Sequence, residues 1–164
     1  MARESPRSNV SIREVATNQA QLLLERASAL QGSLYPPESI HVVDGNTLDS
    51  PGNVFFGAFR DGAGDGASPL GCVGLLITGQ EPGTAEIKSL FVPEEFRRHG
   101  IASALMDTAE AAARERGITL LRLETGIYQP ESLALYRGRG YVTVPPFGHY
   151  TDDPVSVFMA KQLG

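Results

Sequence analysis

Apolar residues recur along this chain at two spacings, and the change from one to the other marks its elements. Between Asn9 and Glu14, Val10 and Ile12 alternate with polar neighbours, which predicts a short strand. Thr17 or Asn18 can then cap a helix over Gln19–Leu30 that carries Leu22, Leu23, Ala27 and Leu30. Gly32 to Pro51 is dense in turn formers and predicts a loop with at most a short helical turn. Asn53–Arg60 and Leu70–Thr78 are strand-like again, joined by the hairpin loop DGAGDGASP. Over Ala85–Val92 the two-residue period puts Ile87, Ser89 and Phe91 on one face and Glu86, Lys88, Leu90 and Val92 on the other.

Pro93 ends that strand, and from Ile101 the spacing becomes helical through Leu105, Thr108, Ala109 and Ala112, with Gly117 as the stop. Thr119–Thr125 is the next strand, parallel to Ala85–Val92 because a helix connects them. Pro130 opens a last helix with Leu133, Leu135 and Tyr136, ended by Gly140. Tyr141–Val144 and Val155–Lys161 are the closing strands, with the proline-rich loop PPFGHYTDDP between them. Strands separated by helical segments predict an α/β (α+β) domain with a mixed sheet.

At 164 residues, 41% of them hydrophobic, the chain suits one domain over residues 9–164 behind a disordered N-terminal lead at 1–8. Nineteen acidic against fourteen basic residues give a net charge of -5 without a basic run, which argues against nucleic acid as a partner. The start has no apolar signal segment and no window is apolar enough to span a membrane, so a cytoplasmic protein is expected. Cys72, the sole cysteine, sits in the apolar run GCVGLLI and reads as a buried small hydrophobe. Gly62, Gly64 and Gly66 lack the strand-turn-helix context and the lysine that a nucleotide loop needs.

The arginines concentrate where chemistry would use them. Arg97-Arg98-His99-Gly100-Ile101-Ala102 joins a strand to a helix, where helix N–H groups lack internal partners and the dipole favours an anion. On the residues alone this is either a pyrophosphate site or an ordinary junction with solvated arginines. The run RRHGIA resembles the coenzyme A loop of the GNAT N-acetyltransferase superfamily, Arg/Gln-x-x-Gly-x-Gly/Ala. LALYRGRGY, Leu133 to Tyr141, is similar to that family's second motif, L-Y-x-x-x-G-F/Y.

The resemblance implies a fold of about six to seven strands and about four helices, whose central parallel strands splay around the pantetheine arm of acetyl-CoA. It implies transfer of an acetyl group to a primary amine of a small molecule or peptide, by direct attack in a ternary complex, without a metal. The cofactor would be bound by Leu90, Phe91 and Val92 on the strand, by Arg97, Arg98, His99, Gly100, Ile101, Ala102 and Ser103 in the loop, and by Gln129 and Ser132 at the last helix. Gln129 stands where many relatives carry asparagine. Tyr136 would protonate the leaving thiolate and Glu86 would deprotonate the amine, directly or through water. The residues alone favour Tyr136 as a core aromatic and leave Glu86 equally a solvated strand carboxylate or a partner for Lys88. Tyr35, His41, Phe147 and Tyr150 would border the acceptor pocket. An acyl-CoA-binding module without chemistry, a longer acyl group and a homodimer all stay open at this point.

Overall fold

The computed structural model describes residues 9–164, so the lead expected at 1–8 lies outside the described residues. Seven strands form one mixed sheet in the order β1-β2-β3-β4-β5-β7-β6. They are β1 (Val10–Glu14), β2 (Val54–Arg60), β3 (Gly71–Leu76), β4 (Thr84–Phe91), β5 (Leu120–Gly126), β6 (Val142–Thr143) and β7 (Ser156–Gln162). Four helices accompany them: α1 (Gln21–Leu34), the single turn α2 (Gly45–Leu48), α3 (Ile101–Glu115) and α4 (Pro130–Gly138). The expected mixed α/β architecture is present, including the parallel pairing of β4 with β5.

Alternation of side chains across the sheet divides the core. On one face Ala85 and Ile87 of β4, Leu121 and Leu123 of β5 and Met159 of β7 pack with Leu105, Met106 and Ala109 of α3 and Tyr136 of α4. On the other, Phe55 and Cys72 meet Ala20, Leu23 and Leu48, while Phe147 and Tyr150 of the β6–β7 loop pack on Phe158. α3 stops as its sequence requires: Gly117 adopts φ 74°, its N–H bonds the Arg114 carbonyl, and Ile118 N–H bonds that of Ala113. Among the described residues no helix is long and apolar enough to cross a membrane.

Three local expectations need correction. Thr17 does not cap α1, because its N–H and hydroxyl both bond the Asp49 carboxylate, and a 3-10 turn at Thr17–Ala20 precedes the helix. α1 runs on to Leu34, four residues past the predicted end at Leu30, since Gly32 meets nothing that strains it and Tyr35 closes the helix through Gln31. The face assignment along β4 fails after Lys88. Gly74 pairs with Lys88 and Cys72 with Phe91, so β4 uses one residue more than β3, and Ser89 takes φ 57°. This bulge moves Leu90 and Val92 to the side of Ile87, whereas Phe91 joins the cluster around Phe55 and Cys72.

Two polar groups fasten the scaffold. Asn53, just before β2, donates to the Thr47 carbonyl and accepts from Ile77 N–H, Thr78 N–H and the Thr78 hydroxyl, all within 2.8–2.9 Å. Glu110 is buried on α3 and receives Arg139 at 2.8 Å, the Tyr141 hydroxyl at 3.0 Å and Lys161 at 3.1 Å, tying α3 to the end of α4 and to β7. Burial opposes the charge on Glu110, but the bonds from Arg139 and Lys161 prevail and hold its carboxyl below the usual value.

A depressed carboxylate contributes stability that is present at neutral pH and lost as pH falls through the folded-state value. Glu110→Gln should therefore lower unfolding free energy by about 3 kcal/mol near pH 7. Denaturant melts should show the variant and parent curves converging below about pH 4.

Candidate active site

β4 and β5 pair at Thr84 with Leu120, Ala85 with Leu121 and Glu86 with Arg122, and then part. From Ile87 to Phe91 and from Leu123 to Gly126 the strands no longer bond each other, and β5 keeps its ladder to β7. A cleft of about 430 Å³ opens there, walled by β4, β5, α1, the segment from Tyr35 to Gly45 and the start of α4.

The loop from Arg97 to Gly100 lies beyond the end of β4. Arg97 is anchored through its Nε–H to the Val92 carbonyl at 2.9 Å and lies 3.8 Å from Glu131 of α4. Arg98 and Gly100 both take left-handed backbone, φ 67° and 75°, around an exposed His99. No side chain caps α3, so the N–H groups of Ile101, Ala102 and Ser103 have no side-chain acceptor at its positive end. An arginine pair beside an uncapped helix start fits a pyrophosphate by its donor set.

Of the residues expected at the site, Tyr35, His41, Leu90, Phe91, Gln129, Ser132 and Tyr136 line the cleft. The Tyr35 hydroxyl accepts from Tyr128 N–H and donates to Gln129 Oε1, each at 3.2 Å. Its ring lies against Gly126, where an added Cβ would collide with it. Gln129 is thus occupied from the acceptor side of the cleft. Tyr136 is 6% exposed and meets the Tyr141 ring edge-on at 5.8 Å. Its own burial, aided by the Glu124 carboxylate, raises its pKa well above the ordinary phenol value, so it stays protonated.

Glu86, Phe147 and Tyr150 do not reach the cleft surface. Glu86 is 2% exposed, its carboxylate receiving the Tyr150 hydroxyl at 2.5 Å with Lys88 Nζ 3.4 Å away. Phe147 packs edge-on against Tyr150 and Phe158, beneath the Arg122 guanidinium. These residues form the layer under the acceptor wall.

Glu124 of β5 was not singled out by its sequence context, and it is the carboxylate that lines the cleft at the splay. Burial lifts its pKa to about 7, with Glu86 and Asp153 adding repulsion and Ser156 and Lys88 opposing. The strand period could have flagged it, since Arg122 and Glu124 alternate with the buried Leu121 and Leu123.

Comparison with known proteins accounts for this arrangement. The family model described as Acetyltransferase (GNAT) family matches residues 20–141. An IAA acetyltransferase of Azospirillum brasilense is 37% identical over 163 residues, spanning 99% of this chain and 97% of its own. The uncharacterized N-acetyltransferase YsnE of Bacillus subtilis (strain 168) is 34% identical over 131 residues, 78% of this chain and 82% of its own. Among solved structures, a Klebsiella pneumoniae subsp. pneumoniae chain superposes with a TM-score of 0.76 at 28% identity, covering 96% of this chain and 99% of that one. The PaiA N-acetyltransferase of Thermoplasma acidophilum, solved with coenzyme A, shares the fold at a TM-score of 0.68 and 18% identity, covering 93% and 98%. A family match over residues 20–141 and a relative 37% identical along nearly the whole chain show that the chain belongs to the GNAT acetyltransferase family.

Proposed function

We propose that the protein transfers an acetyl group from acetyl-CoA to a primary amine by direct attack within a ternary complex. The observation that carries this reading is that the gap between β4 and β5 is lined from opposite sides by a protonated phenol, Tyr136, and a carboxylate near neutrality, Glu124. Acetyl-CoA, when bound, supplies the activated thioester.

Arg97, Arg98 and the first N–H groups of α3 hold the pyrophosphate, and unpaired backbone of β4 and β5 takes the pantetheine arm in place of a strand partner. The N–H groups after the bulge, around Leu90, support the thioester carbonyl oxygen. Glu124 accepts the proton of the incoming ammonium, which leaves a neutral nitrogen free to form the new C–N bond as the C–S bond breaks. Tyr136 gives its proton to the departing sulfur. The nitrogen loses a second proton as the amide forms, which restores the Tyr136 phenol, and Glu124 releases the first to solvent, so ammonium and thioester give amide, thiol and one proton. Glu86 sits too deep to meet the amine itself, and its part is to fix Lys88 and Tyr150 behind the acceptor wall.

Each role has its own variant. Tyr136→Phe keeps the ring, so coenzyme affinity by calorimetry should hold while single-turnover acetyl transfer drops about 10²- to 10⁴-fold. An unchanged turnover would return Tyr136 to a packing role. For Glu124, protonation below about pH 7 removes the base, so kcat/KM of the parent should fall as pH drops through that value. Glu124→Gln should lower the rate about 10²-fold and keep only the limb set by the amine's own ionisation. Gly100→Val places a branched residue at φ 75° on the path of the phosphates, and calorimetry should show coenzyme A binding weakened about tenfold or more.

A further inference from the structure

We infer that the acceptor is an amine with no carboxylate beside its reacting nitrogen, and that free α-amino acids are rejected. This rests on the acetyl-transfer reading of the cleft and names the substrate class it serves.

A side-chain cation, with arginine the best suited, is the strongest partner a protein offers an α-carboxylate. Among the described residues Lys88 is the one lysine or arginine that lines the cleft, and its ammonium is already committed. It has three hydrogens to give. Three oxygens surround it: the His41 carbonyl at 3.1 Å, the Tyr150 hydroxyl at 2.9 Å and the Glu86 carboxylate at 3.4 Å. Tyr150 spends its single hydrogen on Glu86, which leaves its oxygen to accept from Lys88. Glu86, Lys88 and Tyr150 are each at most 8% exposed, so no water or ligand displaces a member without dismantling the group. As a unit, Glu86 and Lys88 are neutral.

The other charged groups facing the cleft are Glu25 of α1, Asp44 and Glu124, all carboxylates. His41, whose imidazole meets Tyr150 edge-on at 5.1 Å, adds positive charge only when protonated, and Asp153 interacts with it from the β6–β7 loop. An α-carboxylate lies two bonds from its nitrogen, so a productive pose would bring it beside Glu124 with no free side-chain cation among the described residues of the cleft to answer it. Like charges in a half-desolvated cleft repel strongly. An amine on an apolar or cationic body meets no such barrier, and Leu24, Val42 and Val43 supply apolar wall for it.

The test uses matched pairs that differ only by the carboxylate: tryptamine with tryptophan, histamine with histidine, phenethylamine with phenylalanine, each amino acid also as its methyl ester. Coenzyme A thiol release gives kcat/KM for every member. In each reacting pair the amine should exceed its amino acid by about tenfold or more, and the ester should recover most of the difference. An amino acid that matches or outruns its amine overturns the inference while leaving acetyl transfer in place. Absence of thiol release with every amine and ester overturns the acetyl-transfer reading and this inference together.

Discussion

Three residues of parallel pairing between β4 and β5 set the terms for everything around the cleft. A strand within a sheet must bond its neighbours on both sides, and a buried backbone group left without a partner is costly. Here β4 keeps β3 and β5 keeps β7, while the facing edges separate after Glu86 and Arg122. The sheet is continuous and still carries an internal slot of unpaired backbone. The bulge at Ser89 works with the splay, because it sends Leu90 toward the main core and turns Phe91 toward α1. A ligand that offers amide-like donors and acceptors along an extended arm completes such a sheet.

Carboxylates in this protein illustrate how surroundings divide identical groups among different tasks. Glu110 is ringed by Arg139, Lys161 and Tyr141 and stays ionised as a fastening point. Glu86 shares its charge with Lys88 under a tyrosine lid. Glu124 is half-buried with weaker compensation, so burial disfavours its charged form and lifts its pKa to about 7. Groups whose environments push their protonation apart are those an enzyme can use as acid and base. The pairing of Glu124 with the strongly protonated Tyr136 is of that kind.

Much of the frame was legible in the residues themselves. The switch from a two-residue period before Pro93 to a helical one after Ile101 located β4 and α3 to within a residue, and RRHGIA and LALYRGRGY carried the resemblance to the family that the comparisons show. The face of β4 beyond Lys88 was not legible in the residues themselves, because Ser89 is not a glycine and nothing in its type announces a positive φ; only the family resemblance implies a bulge near Leu90. The depth of Glu86 was hidden for a related reason: Tyr150, which covers it, is 64 residues away and approaches through a loop without periodicity. Glu124 was passed over because a single carboxylate in TLLRLET gains meaning only when the neighbouring strand moves away.

The stretch between Tyr35 and Asn53 is pinned at both ends by side chains that bond elsewhere in the scaffold, Tyr35 to the β5–α4 junction and Asn53 to the end of β3. Between the pins it is a 3-10 turn, one short helical turn and connecting backbone that forms much of the acceptor wall. Loop closure changes only slowly with length once the ends are fixed. Apart from Leu48 in the core and Asp49 on Thr17, its exposed residues can therefore be exchanged, and the connections lengthened or shortened, while the sheet and its cleft keep their shape, so the wall of the cleft can change by drift or by grafting without refounding the fold.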